Sequence, residues 1–213
     1  MVFADPPYNV AYNSGGRTIA NDDLGEDFGT FLATCCSNLL AVTKGAVYIC
    51  MSSSELHTLH HAFTSAGGHW STFVIWAKNT FTLGRSDYQR QYEPLLYGWP
   101  EGCRHHWCGD RSQGDIWFID KPVVNDIHPT QKPLELVERA ILNSSKRAQL
   151  VLDPFAGSGT TVIACERTGR KARVLELDPG YVDVIVRRWQ EFTGQRATRE
   201  SDGCRFPTAM VKT

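Results

Sequence analysis

A chain of 213 residues, 42% hydrophobic and 21% charged, can bury one sizeable core, is too short for two ordinary domains, and has a composition that excludes a largely disordered protein. Its formal charge of −1 excludes a protein that grips nucleic acid through a general basic excess, so any DNA affinity must be local or borrowed from elsewhere. No apolar run reaches membrane-spanning length, Met1 is not followed by a basic segment and an apolar signal region, and seven scattered cysteines do not make a secreted disulfide framework; a cytoplasmic location with reduced thiols is expected.

Taken in chain order, Val2-Phe3-Ala4 is a short apolar strand, stopped by the prolines of Asp5-Pro6-Pro7-Tyr8. Helical periodicity over 28–42 closes at Lys44-Gly45, and a buried strand follows over 46–51. A second helix over 54–65 takes Ser53 or Ser54 as its cap and Gly67-Gly68 as its stop. This β–α–β–α rhythm predicts a parallel sheet in an α/β fold. Strands are expected over 71–77 and 93–99, irregular chain over 100–120, and helix over 133–143. Strand 150–153, helix 160–168 and strand 172–177 complete the alternation. A last helix begins at Asp178-Pro179, a cap with proline at the first helical position, and ends near Gly194. One domain over 1–194 is therefore expected, with 195–213 as a mobile tail.

Two motifs suggest an adenosine-type cofactor. In Asp153-Pro154-Phe155-Ala156-Gly157-Ser158-Gly159-Thr160-Thr161 a strand runs into a glycine-rich turn that opens a helix, where backbone approaches a ligand closely at the carboxyl end of a parallel sheet. No lysine follows Gly159, so a phosphate-gripping P-loop fails at the residue that reaches the phosphates. Glu176 ends the next strand, 23 positions after Asp153, near the spacing at which a carboxylate meets a ribose diol. A dehydrogenase would share both features, and a tight turn with a strand-end carboxylate is their bland reading.

Asp5-Pro6-Pro7-Tyr8 points to the reaction. Methylating an aromatic amine requires acceptors for its N–H groups, so that the nitrogen lone pair leaves the ring and faces the methyl donor. The Asp5 carboxylate and the Pro6 carbonyl supply two acceptors, Pro7 fixes the turn, and Tyr8 offers a face for an extruded base. Methylation of a cytosine ring carbon would instead need a nucleophilic cysteine after a proline, and the sequence has no Pro-Cys pair.

The order Asp5-Pro6-Pro7-Tyr8, then His128-Pro129-Thr130-Gln131-Lys132-Pro133, then Asp153-Pro154-Phe155-Ala156-Gly157-Ser158-Gly159-Thr160-Thr161 resembles the permuted β-class of adenine-N6 and cytosine-N4 DNA methyltransferases over nearly the whole of 2–194. The resemblance implies a seven-stranded, circularly permuted, Rossmann-like sheet that binds S-adenosylmethionine. It implies that Asp5 orients the target amine of a flipped base, with Pro6, Pro7 and Tyr8 completing the catalytic loop. His128, Thr130 and Lys132, with Asp153, Phe155, Gly157, Gly159, Thr160 and Glu176, would form the cofactor site. Aspartate at the first motif position favours N6 of adenine in double-stranded DNA over N4 of cytosine. Such an enzyme belongs with restriction–modification methylation. The rival of another class is a non-catalytic cofactor- or DNA-binding remnant.

Two departures from the family pattern carry expectations of their own. Only four residues precede Asp5, so the chain is expected to be either a truncated fragment or a member that lacks an edge strand, which would leave the Glu176 strand as an unpaired edge. Target reading falls to the short stretch 80–125, where Arg85, Arg90, Arg104 and Arg111 are the candidate DNA contacts, accompanied by Tyr88, Tyr92 and Trp107. Over 78–121 six basic residues face six acidic ones, so solvated loop charge is the competing reading for each arginine, and an upstream DNA-reading domain, a partner or a homodimer would add grip. Cys103, His105, His106 and Cys108 lack the paired spacing of structural zinc, and His57, His60 and His61 read as surface or half-buried helix histidines, so no metal is expected.

Overall fold

Strict two-residue alternation in the central strands feeds two separate cores. Phe3, Tyr48, Cys50, Leu95 and Tyr97 point to one face of the sheet, while Val2, Ala4, Val47, Ile49 and Leu96 point to the other. Strands buried on both faces need apolar side chains at every position, which is why these segments read as continuous hydrophobic runs.

The computed structural model describes residues 1–14, 17–84, 87–121 and 131–207. In chain order the elements are β1 (Val2–Ala4), the small pair β2 (Asn13–Ser14) and β3 (Arg17–Thr18), α1 (Phe28–Val42), β4 (Val47–Cys50), α2 (Leu56–Ser65), β5 (Gly68–Thr82) and β6 (Arg90–Pro100). They continue with β7 (Ile116–Phe118), α3 (Leu134–Ser144), β8 (Leu150–Asp153), α4 (Thr160–Thr168), β9 (Lys171–Val174) and α5 (Pro179–Thr193). The main sheet has seven strands in the order β7-β5-β6-β4-β1-β8-β9. Strands β4, β1, β8 and β9 run parallel, whereas β6 is antiparallel to both β4 and β5.

Helices α1 and α2 cover one face through Phe28, Leu32, Leu39, Leu59 and Phe63. The other face is covered by α3 and α4 through Leu136, Val137, Ala140, Ile141 and Ala164. This is a three-layer α/β arrangement. The ends of the parallel strands at Ala4, Cys50, Asp153 and Val174 all lie at one end of the sheet, where ligands bind in such folds.

Several expected elements match closely, including α1, β8, α4 and α5, the last with Asp178 accepting from the Gly180 N–H as its cap. The cap ahead of α2 is Ser52, rather than Ser53 or Ser54, and it opens a 3-10 turn over Ser53–Glu55. β7 lies inside the stretch expected to be irregular. Only its Trp117 is buried, so three residues with exposed neighbours carried no readable period. Among the described residues β9 pairs with β8 on one side and is the edge of the sheet, and β7 forms the opposite edge of the seven strands.

Residues 195–207, expected as part of a mobile tail, instead fold back on α5. Arg199 and Cys204 pair through the backbone, as do Phe206 and Ala197, while the buried Gln190 side chain accepts from the Ala197 N–H at 2.9 Å. A buried glutamine needs such partners, and the hairpin provides them. Among the described residues no helix is long and apolar enough to cross a membrane.

Candidate active site

The loop after β1 is held from several directions. Pro6 is buried, and the chain leaving Tyr8 is pinned by the buried Asp22 carboxylate, which accepts from the Tyr8 N–H at 2.7 Å and the Tyr12 N–H at 2.8 Å. Asn9, in a left-handed conformation at φ 57°, accepts from the N–H groups of Leu24 and Gly25 at 2.9 Å each. The Asp5 carboxylate accepts from the Tyr8 hydroxyl at 2.7 Å on one oxygen and from the Lys132 ammonium at 2.8 Å on the other. It is a fixed acceptor before any substrate arrives. Burial first, then the charges of Asp5 and Glu93, push the Tyr8 phenol well above its ordinary value, which keeps it a donor.

The glycine-rich turn between β8 and α4 is built by Asp153 and Glu176. Asp153, fully enclosed, accepts from the Phe155 N–H at 3.0 Å and the Thr161 hydroxyl at 2.6 Å, and burial pushes its carboxyl up to about 7 against those bonds. Glu176 accepts from the Gly157 N–H at 2.7 Å and the Asp178 N–H at 2.9 Å, so it ties the turn to the chain leaving β9. Phe155 meets Phe31 edge-on, with ring centroids 6.4 Å apart, and Arg188 from α5 donates to the carbonyl and the hydroxyl of Ser158.

Between these loops lies a cavity of about 760 Å³. Asp5, Tyr8 and Lys132 lie on its wall with Phe155, Gly157 and Glu176. One cavity therefore joins the two motifs, which are 148 positions apart in sequence from Asp5 to Asp153.

Glu93, on the cavity wall, and Lys78 behind it were not among the residues expected. Glu93, near the start of β6, accepts from Lys78 of β5 at 2.5 Å on Oε1, while its Oε2 lies 3.3 Å from the Lys132 ammonium and 3.4 Å from the Tyr8 hydroxyl. Burial disfavours its charge, but Lys132 and Lys78 outweigh burial and hold its carboxyl at about 2. Burial also opposes the Lys132 ammonium, which Asp5 and Glu93 nonetheless hold above its ordinary value. A carboxylate inside an otherwise apolar strand, Glu93 beside Pro94-Leu95-Leu96, was the available signal.

The DNA methylase family model, of the N6/N4 type, matches residues 1–187. The chain belongs to this family of DNA methylases. It is similar to the DNA adenine methyltransferase YhdJ of Escherichia coli K12, 28% identical over 88% of this chain and 75% of the relative. It is also similar to the type II methyltransferase M2.DpnII of Streptococcus pneumoniae, 27% identical over 88% of this chain and 81% of the relative. The crystal structure of M1.HpyAVI with S-adenosylmethionine shares the fold, with a TM-score of 0.65 and 23% identity over 88% of this chain and 87% of that one.

Within this DNA methylase the expected site residues divide. Asp5, Pro6, Pro7, Tyr8, Lys132, Asp153, Phe155, Gly157, Thr160 and Glu176 all line the cavity. Gly159 does not; at φ 81° it opens α4, and a Cβ there would lie 3.0 Å from Ile185, so it serves helix packing. The Lys132 ammonium is directed at Asp5 and Glu93, because a buried cation takes the nearest carboxylates. His128, Thr130 and Arg85 lie outside the described residues.

The arginines expected on DNA are separated by topology. Arg90 opens β6 at the active-site end and donates to the Ser52 hydroxyl at 2.9 Å. β6 runs antiparallel to β4, so Arg104 and Arg111, which follow its far end, lie at the opposite end of the sheet. There the Cys108 N–H donates to the Asn143 carbonyl, at the finish of α3. That placement removes Arg104 and Arg111 from the active-site surface. In the same region His105 stacks on Trp99 at 3.6 Å and the Cys108 thiol donates to the Ser145 carbonyl, and no metal-binding group forms among the described residues.

Proposed function

We propose that this methylase transfers a methyl group from S-adenosylmethionine to the N6 amine of adenine in double-stranded DNA, with the amine of a flipped base as the direct nucleophile. The observation that carries this reading is the Asp5 carboxylate, fixed by Tyr8 and Lys132 on the wall of the same cavity that holds the glycine-rich turn and Glu176.

The cavity suits that cofactor chemically. Its volume of about 760 Å³ falls in the range of ordinary cofactor sites. Glu176 offers free lone pairs to a ribose diol, Phe155 with the exposed Leu175 and Leu177 offers apolar surface to an adenine ring, and the Asp5 carboxylate suits a neighbouring cationic sulfonium. When bound, the cofactor supplies an electrophilic methyl group.

The residues of the chain do the rest. Asp5 accepts an N–H of the target amine through a lone pair left free by Tyr8 and Lys132, and the Pro6 carbonyl accepts the second, so the nitrogen turns its lone pair out of ring conjugation. Tyr8 presents its ring beside the acceptor, where an extruded base stacks. The hairpin of β5 and β6 carries Arg90, Tyr88 and Tyr92 at the same end of the sheet, with Tyr88 almost fully exposed, and forms the DNA-facing surface. With a net charge of −1, a second copy or a further DNA-reading segment adds phosphate contacts. YhdJ, a DNA adenine methyltransferase by name, supports adenine as the target base.

The test is transfer of tritiated methyl from S-adenosylmethionine to unmethylated DNA, followed by digestion to nucleosides. Label in N6-methyladenine is expected, and Asp5→Ala should lower turnover at least about 100-fold while cofactor affinity stays within a few-fold. Label in N4-methylcytosine would replace the base assignment, and full turnover in the Asp5 variant would overturn the mechanism.

A further inference from the structure

Lys78, Glu93, Lys132 and Asp5 form one unbroken line of charge contacts at 2.5, 3.3 and 2.8 Å. They come from four separate parts of the chain: β5, β6, the segment before α3, and the loop after β1. The side chains of Lys78 and Lys132 are only 8% and 7% exposed, so neither ammonium is held by solvent. Two ammonium groups and two carboxylates sum to zero, which is how a buried group of charges survives. Lys132 is shared between the catalytic carboxylate and Glu93. The Tyr8 hydroxyl, likewise, lies within reach of both carboxylates.

Sharing has a consequence for Asp5. An ammonium paired with one carboxylate alone draws that carboxylate's electron density to itself and weakens it as an acceptor for a third donor. Glu93 divides the attention of Lys132, and Lys78 keeps Glu93 in place from the neighbouring strand. The same two strands continue into the hairpin whose Phe81, Leu83 and Tyr88 are exposed beyond the cavity.

We propose that Glu93 and Lys78 are positioning residues for methyl transfer, setting the orientation and acceptor strength of Asp5 through Lys132 and tying the catalytic loop to the base of the β5–β6 hairpin. The inference rests on the function proposed above. Lys78 does not line the cavity and acts through Glu93; Glu93 reaches Asp5 through Lys132.

The test compares wild type with Glu93→Gln, Lys78→Met, Lys78→Arg and the double variant Lys78→Met/Glu93→Gln, measuring kcat, KM and cofactor affinity, thermal stability and crystal structures. The double variant leaves Lys132 and Asp5 as a balanced pair. Glu93→Gln and Lys78→Met are expected to lower kcat about tenfold or more with cofactor affinity unchanged within about threefold, and Lys78→Arg to restore most of the loss. The double variant should regain thermal stability but not kcat. Recovery of both together, or a kcat within about twofold of wild type in Glu93→Gln, would show a merely structural role and overturn the proposal. If wild type transfers no methyl group, the function reading fails, and the crystal structures decide the positioning alone. A Lys132 ammonium drawn off Glu93's site and wholly onto Asp5 in Glu93→Gln upholds it, while an unchanged Lys132 and Asp5 overturns it.

Discussion

The two ends of the seven-stranded sheet are built on opposite principles. At the carboxyl end of the parallel strands, charged side chains are enclosed around a cavity: Asp5, Lys132, Glu93, Lys78 and Asp153. At the other end, rings are stacked on one another, with His69, Trp99 and His105 in a row and Gly98 pressed against the His69 carbonyl and the Phe63 ring. Enclosed charge costs stability and supplies directed acceptors, whereas ring packing stabilises and directs nothing. Substitutions at the first end should therefore change binding or chemistry, and those at the second should change stability.

After the loss of turnover in Asp5→Ala, the next largest expected effect is on cofactor affinity. Glu176→Ala removes the acceptor that holds the Gly157 and Asp178 N–H groups and the proposed ribose contact, so affinity for S-adenosylmethionine by calorimetry should fall about 10- to 100-fold. Unchanged affinity would take Glu176 out of the site. At the packed end, Gly98→Ala places a Cβ 2.4 Å from a backbone carbonyl that cannot move cheaply, at a cost of about 1–3 kcal/mol. Thermal unfolding should drop by several degrees while kcat of the folded enzyme holds. A lost kcat with unchanged stability would break the contrast between the ends.

A smaller effect comes from Asp153, whose folded carboxyl is raised to about 7 by burial. The folded chain then holds a proton that the unfolded chain, titrating near pH 4, has already released, so stability falls as pH rises from about 4 to 7. Asp153→Asn keeps an acceptor for the Phe155 N–H and carries no charge. Its melting temperature should rise relative to wild type across that window, and a difference that stays flat with pH would contradict an enclosed, titrating Asp153. The smallest effect concerns DNA. Arg104→Ala with Arg111→Ala should leave DNA affinity within about twofold, while Arg90→Ala weakens it and lowers its salt dependence. Equal losses from both would put DNA at both ends of the sheet.

The helices and central strands were legible in the sequence because they obey local rules. The 3.6-residue period of 28–42, the Asp178-Pro179 start of α5 and the strand over 150–153 each reappear as read. The motif around Asp5 and the glycine-rich turn were legible for a different reason: each is a short run of chain whose backbone demands particular residues. β7 and the hairpin over 195–207 were not, since three residues with one buried side chain have no period, and a hairpin without apolar alternation is recognisable only from the helix it packs on.

The sequence by itself determined the α/β class, the order of the motifs and the chemistry that Asp5-Pro6-Pro7-Tyr8 can perform, because those depend on neighbours along the chain. Only the tertiary structure decided that Lys132 faces Asp5 across 127 positions, that Glu93 and Lys78 complete the same group of charges, and that Arg104 and Arg111 lie at the far end from Arg90. Strand direction fixed these relations: an antiparallel β6 carries Glu93 to the cavity and sends the residues after Pro100 away from it, and no local feature of the sequence specifies which way a strand will run.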